Sequence, residues 1–208
     1  MNKKSCSVFI TLLLALLILS VLAQVSIGVK EGNWIEYEIT YTGTPPQTYP
    51  ETARFEVQAI QGTNITLEIK TVSLEAAEIT NPVTFNLEDG APDFIIIPAN
   101  LNVGNEVNHS ELGIIEILGI EEYTFEGVTR ELIYGGFGDL DYHWDRTTGI
   151  VIQIDQTTET YTQSWLAVST NIVQTEISEL DPMLLYGIII PIIIILLIVT
   201  LFILKRKK

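Results

Sequence analysis

The chain holds a single cysteine, Cys6, and only two histidines, His109 and His143. One thiol cannot close an intramolecular disulfide, so any folded part must rest on its packed core. A zinc centre of the usual histidine and cysteine kind lacks its ligands. Positive charge is scarce as well. From Lys30 to Asp181 the only bases are Lys30, Arg54, Lys70, Arg130 and Arg146, set against all 26 acidic residues, a net charge of −21. Such a surface repels nucleic acid and favours cations or a basic protein partner. The same stretch lacks a 3.6-residue apolar period, which excludes a helical domain.

Apolar residues are instead gathered in a run at each end. Leu184 to Leu204 is 21 residues without a charge, followed by Lys205, Arg206, Lys207 and Lys208. At a helical rise of about 1.5 Å per residue this run reaches about 31 Å, a bilayer's hydrocarbon thickness. Lipid forces such an isolated span to be a helix despite its isoleucines, and the basic tail marks its cytoplasmic end. Residues 1–23 have the parts of a secretory signal: Lys3 and Lys4, an apolar stretch from Val8 to Leu22, and a small-residue motif ending at Ala23. The expected layout is a signal helix (1–23), an extracellular domain (24–178), a juxtamembrane linker (179–183), one transmembrane helix (184–204) and a cytoplasmic tail (205–208). The chain would then sit in the cell membrane as a single-pass protein.

The exported part alternates with period two. Ile35, Tyr37, Ile39 and Tyr41 fall on one face of a strand, with Glu36, Glu38, Thr40 and Thr42 on the other. Phe55 to Ala59, Ile65 to Ile69, Val83 to Leu87, Ile114 to Ile120, Tyr123 to Phe125, Val128 to Tyr134, Asp139 to Asp145, Ile150 to Ile154 and Tyr161 to Ile172 continue the pattern. Glu126-Gly127 reads as a two-residue hairpin tip, and Gly149 as a turn position needing positive φ. The parity change after Ile69 predicts a bulge or bend near Thr71, and Gly135-Gly136-Phe137-Gly138 predicts a break. The fold class is therefore all-β, an antiparallel meander of about eight to ten strands forming a sandwich or a curved half-barrel. Phe94-Ile95-Ile96-Ile97 is either a buried plug or an exposed apolar lip, and burial is favoured because such runs are usually inside.

The densest set of polar groups is Asp139, Asp141, His143 and Asp145, spaced two apart and so on one strand face, opposite Leu140, Tyr142 and Trp144. Carboxylates and an imidazole in this order suit a hard cation such as calcium. Same-face neighbours sit almost 7 Å apart, so one ion would touch two at most. Otherwise the row is the solvated side of an amphipathic hairpin. Asn64-Ile65-Thr66 and Asn108-His109-Ser110 are glycosylation sequons. His109-Ser110-Glu111 holds triad residue types, yet neighbours in sequence cannot line up as nucleophile, base and orienter. No cofactor motif is present: the Gly135 to Gly138 cluster lacks the spacing of a phosphate loop.

Gly32-Asn33-Trp34-Ile35-Glu36-Tyr37, Ile97-Pro98-Ala99-Asn100-Leu101 with Val103-Gly104-Asn105, and Tyr142-His143-Trp144-Asp145-Arg146 with Thr148-Gly149-Ile150-Val151 resemble segments of archaeal cell-surface proteins that carry a signal peptide, a β-rich ectodomain and one C-terminal span. The resemblance implies an exported, anchored, all-β protein and brings no catalytic residues with it. Three functions follow as expectations. The first is an extracellular binding or structural display module. The second is a carrier that holds a lipid or other apolar ligand in a curved sheet, with Phe94 to Ile97 at its mouth. The third is a hydrolase with acidic catalytic residues.

Overall fold

A computed structural model describes residues 25–45, 49–73, 78–90, 95–109 and 113–172. These belong to one compact unit ending at Ile172. The expected signal segment, linker, transmembrane helix and tail lie outside the described residues. Among the described residues no helix is long and apolar enough to cross a membrane.

Eleven strands are described: β1 (Trp34–Gly43), β2 (Pro50–Gln61), β3 (Asn64–Ser73), β4 (Glu78–Asn86), β5 (Glu106–His109), β6 (Gly113–Glu116), β7 (Gly119–Phe125), β8 (Val128–Phe137), β9 (Leu140–Asp145), β10 (Val151–Thr157) and β11 (Tyr161–Thr170). Nine form one antiparallel sheet in the order β4-β3-β2-β1-β11-β10-β9-β8-β7, and β5 pairs with β6 alone. The large sheet is two meanders sewn together along β1 and β11. That seam runs from Ile35 opposite Thr170 to Gly43 opposite Tyr161. Every other pairing in the sheet joins strands adjacent in the chain, which keeps connections short.

Alternation decides which face is inside. Ile35, Tyr37 and Ile39 are buried, while Glu38 and Thr40 are exposed. Ala53, Phe55 and Val57 of β2 and Ile65 and Leu67 of β3 continue the same inner face, as do Ile133, Tyr142, Trp144 and Ala167 in the other meander. They pack into a single apolar cluster. Tyr37 is fully inside it and donates its hydroxyl to the Val151 carbonyl at 2.7 Å, so its polar end is satisfied. Ile95, Ile96 and Ile97 are buried in the same cluster. The Ile97 and Val151 amides bond to Gly149 and Ile95 carbonyls, making a short ladder with Ile150. These three isoleucines are buried as the plug expectation has it, while Phe94 lies outside the described residues.

Several local expectations change. The strands exceed ten even among the described residues. The irregularity expected near Thr71 is carried by the partner strand β2: the register slips between Pro50 and Thr52, facing Val72 and Ser73, and again between Val57 and Ala59. β3 stays in unbroken register with β4 through Val72, so Val72 simply faces outward. Nor do the glycines end β8, which continues to Phe137. Gly135 is where the β5–β6 hairpin crosses: a Cβ there would stand 2.6 Å from the Glu116 carbonyl oxygen. The glycine serves close backbone approach, not a break. The Glu126-Gly127 tip is present as expected, with φ of 50° and 78°, the primed turn that suits strand twist.

Candidate functional site

The Asp139 to Asp145 row divides into separate fates. Asp139 lies in the turn before β9, where its carboxylate accepts from Gln156 Nε2 at 3.4 Å. Asp141 is exposed on the outer face and stands opposite Asp155 of β10. His143 faces the same way, and its Nδ1 meets Glu121 Oε1 at 2.7 Å. Its ring lies 5.7 Å from that of Tyr134. Together Leu118, Glu121, Tyr134, Asp141, His143 and Asp155 border an outer-face groove of about 390 Å³.

Asp145 shares their parity but not their surroundings. It is wholly buried, with 0% of its surface exposed. Oδ1 accepts the Thr147 and Thr148 amides at 2.9 Å each, and Oδ2 accepts Arg130 Nη1 at 2.8 Å. Arg130 spends its Nη2 on the Ile172 carbonyl at 3.1 Å, and its guanidinium sits 5.6 Å from the Phe125 ring centroid. Asp145 is thus the keystone of the β9–β10 turn. Its oxygens bind donors of the protein itself, a role set by Arg130 fifteen residues away and invisible in the local pattern. Among the described residues no group of three or more histidine, cysteine, aspartate or glutamate side chains is placed to hold a metal ion.

A second outer-face groove, about 320 Å³, lies over the other meander between Glu36, Thr52, Arg54, Lys70, Val72 and Val168. Its cations are engaged. Arg54 bridges Glu36 at 2.8 Å and Glu56 at 3.2 Å while stacked 4.1 Å over Trp34, and Lys70 meets Glu78 at 2.7 Å. Arg146 likewise binds Glu131 at 2.6 Å. Four of the five bases between Lys30 and Asp181 (Arg54, Lys70, Arg130 and Arg146) are held in internal pairs, which leaves the surface field to the carboxylates. Asn64 and Asn108 are both exposed, on β3 and β5.

A third region was not singled out by its sequence. At the end of β1 and the start of β11, Tyr41 packs against Tyr49 with ring centroids 4.4 Å apart and against Tyr161 at 6.2 Å. All three rings are half-buried. Burial, then the neighbouring Tyr161 and Tyr49, push the Tyr41 phenol up to about 12. No local motif could have found this trio, because its members come from a strand end, a loop and a strand start more than a hundred residues on.

Comparison of the chain with protein-family models, with curated proteins and with solved structures finds no match in any of the three.

Proposed function

We propose that the chain is a binding or structural module displayed outside the cell and held at the membrane by one C-terminal helix, in the manner of the archaeal surface proteins it resembles. The observation that carries this reading is the uncharged run Leu184 to Leu204 with its basic tail, directly after an acidic β-domain. The burial of Ile95, Ile96 and Ile97 favours display over the apolar-ligand carrier. A carrier needs those residues at an open mouth, and here they fill the core. For the hydrolase, Asp141 stands opposite Asp155, Glu56 opposite Glu68 and Glu122 opposite Glu131, and nothing about their placement singles out one pair as acid and base. A single sheet that gathers core residues from both meanders fits a curved half-barrel better than a sandwich of two sheets.

Topology tests the reading. In a Cys6→Ser background, Thr40→Cys on the outer face of β1 is expected to react with a membrane-impermeant maleimide on intact cells. Lys208→Cys is expected to react only after permeabilisation. The reverse pattern, or recovery of the chain in the soluble fraction, overturns it.

A further inference from the structure

We propose that the ledge formed by Tyr41, Tyr49 and Tyr161 is a binding site for a neutral oligosaccharide. This deepens the reading of the chain as a display module by giving the module a ligand class. A pyranose ring has one face of C–H groups and a rim of hydroxyls, so it needs an aromatic surface beside uncharged hydrogen-bonding groups. Tyrosine supplies both, an apolar body and a polar tip.

The geometry selects this ligand over others. Tyr41 and Tyr49 are tilted by 53° with centroids 4.4 Å apart, and Tyr41 and Tyr161 by 51° at 6.2 Å. Tyr41 and Tyr49 touch each other, which leaves no cation-sized box between their faces; an aromatic cage for a quaternary ammonium needs one. The three rings make a continuous shelf instead. Among the described residues their hydroxyls make no hydrogen bond to protein, in contrast to the Tyr37 hydroxyl, which is satisfied at Val151. Gln163 pairs with Tyr41 on the shelf's own face, Thr44 and Thr160 adjoin the strand ends that carry Tyr41 and Tyr161, and residues 40–45, 49–53 and 154–164 contain no lysine or arginine. The charges in those stretches are Glu51 and Glu159, with Asp155 on the opposite face beside Asp141. Carboxylates accept sugar hydroxyls well and repel uronates and other anionic sugars.

The shelf is also held in place before any ligand arrives. The Thr158 amide and hydroxyl donate to the Tyr161 carbonyl at 2.9 and 2.8 Å, and the same hydroxyl oxygen accepts the Tyr161 amide at 3.1 Å. Thr44 donates its amide to the Thr160 carbonyl at 2.9 Å, tying the loop after β1 to the start of β11. Gly43 makes that approach feasible: its φ is 91°, and a Cβ would collide with the Thr160 backbone. Rigid aromatics reduce the ordering cost that otherwise erodes weak binding.

The test is calorimetric titration of the full chain, purified in a non-glycosidic detergent, with cellohexaose, maltohexaose and mannohexaose, and with hexagalacturonate and choline as the competing chemistries. Saturable binding of at least one neutral hexaose is expected, weakened about tenfold in Tyr49→Ala, the loss of one ring contact. Tyr49→Phe keeps the ring and is expected to stay within about threefold of the parent. Near-ultraviolet circular dichroism of both variants separates loss of the site from loss of the fold, and Tyr161→Ala serves if Tyr49→Ala does not fold. Absence of binding by all three neutral hexaoses, tighter binding of the uronate or of choline, or unchanged affinity in a folded Tyr49→Ala overturns the assignment. Such a failure leaves the labelling pattern of the display module untouched, so the two readings fall separately.

Discussion

The turn at Asp145 and the tip at Tyr41 are both ends of strands in one sheet, yet they treat polar atoms oppositely. At the turn every oxygen of a buried carboxylate has a donor, and an arginine 4% exposed is aimed at it. At the tip three half-buried phenols have hydroxyls with no protein partner among the described residues. A buried charge needs its counter-charge, because an unpaired ion inside the protein costs several kcal/mol; Arg130 meets that need through Nη1 and Nη2, with its Nε alone left unbonded. A half-exposed hydroxyl is satisfied by water or by a ligand. The first arrangement is what a fold needs to close, and the second is what a surface needs to bind. Chain position sharpens the contrast, since the turn lies beside Ile172 and the tip at the opposite end of β11.

The contrast breaks most severely if Asp145 is removed. Asp145→Ala leaves Arg130 buried without its counter-charge and strips the Thr147 and Thr148 amides of their acceptor. A loss of about 3–5 kcal/mol is expected in urea unfolding of the full chain. The double variant Arg130→Met, Asp145→Leu is expected to recover part of that loss, since no uncompensated ion remains. A single variant within about 1 kcal/mol of the parent would show that the turn does not depend on the pair.

Gly149 in that turn and Gly32 in the turn before β1 offer a smaller, paired test. Both have positive φ, 73° and 79°. A Cβ on Gly149 would strike the Ile97 carbonyl oxygen, while one on Gly32 meets nothing within 4 Å. Gly32→Ala therefore carries only the left-handed backbone penalty, about 1 kcal/mol. Gly149→Ala adds a displaced plug and is expected to cost at least about 2 kcal/mol more, approaching the cost of an overpacked core. Equal midpoints in parallel denaturant melts would mean that the plug moves freely.

How far the sequence led differs between these places. Alternation in Ile35 to Tyr41 gave the inner face correctly because a half-buried strand writes its burial into its own parity. Glu126-Gly127 and Gly149 were legible because their turns need positive φ, a local demand. Asp145 looked like one more member of a solvated row with Asp139, Asp141 and His143, since nothing within β9 announces Arg130. The glycines of β8 read as a break because the hairpin that crosses at Gly135 comes from β6, elsewhere in the chain. The tyrosine ledge depends on the seam between first and last strands. Contacts of that range carry no periodic signature.

The two tyrosines of β1 provide the finest test of the comparison, one deep in the core and one on the ledge. Burial raises the Tyr37 phenol well above its ordinary value, and the Tyr41 phenol is pushed up to about 12 from 10.0. In the unfolded chain both release their protons near 10. Between pH 10 and 12 the folded state therefore holds more protons than the unfolded one, and stability falls as pH rises. Below pH 10 this contribution is fully present and stability is flat with respect to these groups. Tyr41→Phe is expected to make the alkaline decline slightly shallower, slightly because solvent screens a half-exposed group. Tyr37→Phe should flatten it more, at the cost of the hydrogen bond to Val151, about 1 kcal/mol. Absorbance of tyrosinate at 295 nm in the parent and both variants assigns the two groups. If Tyr41 ionised near 10, its ring would be open to water on both faces, and its stiffness as a sugar platform would be lost with it.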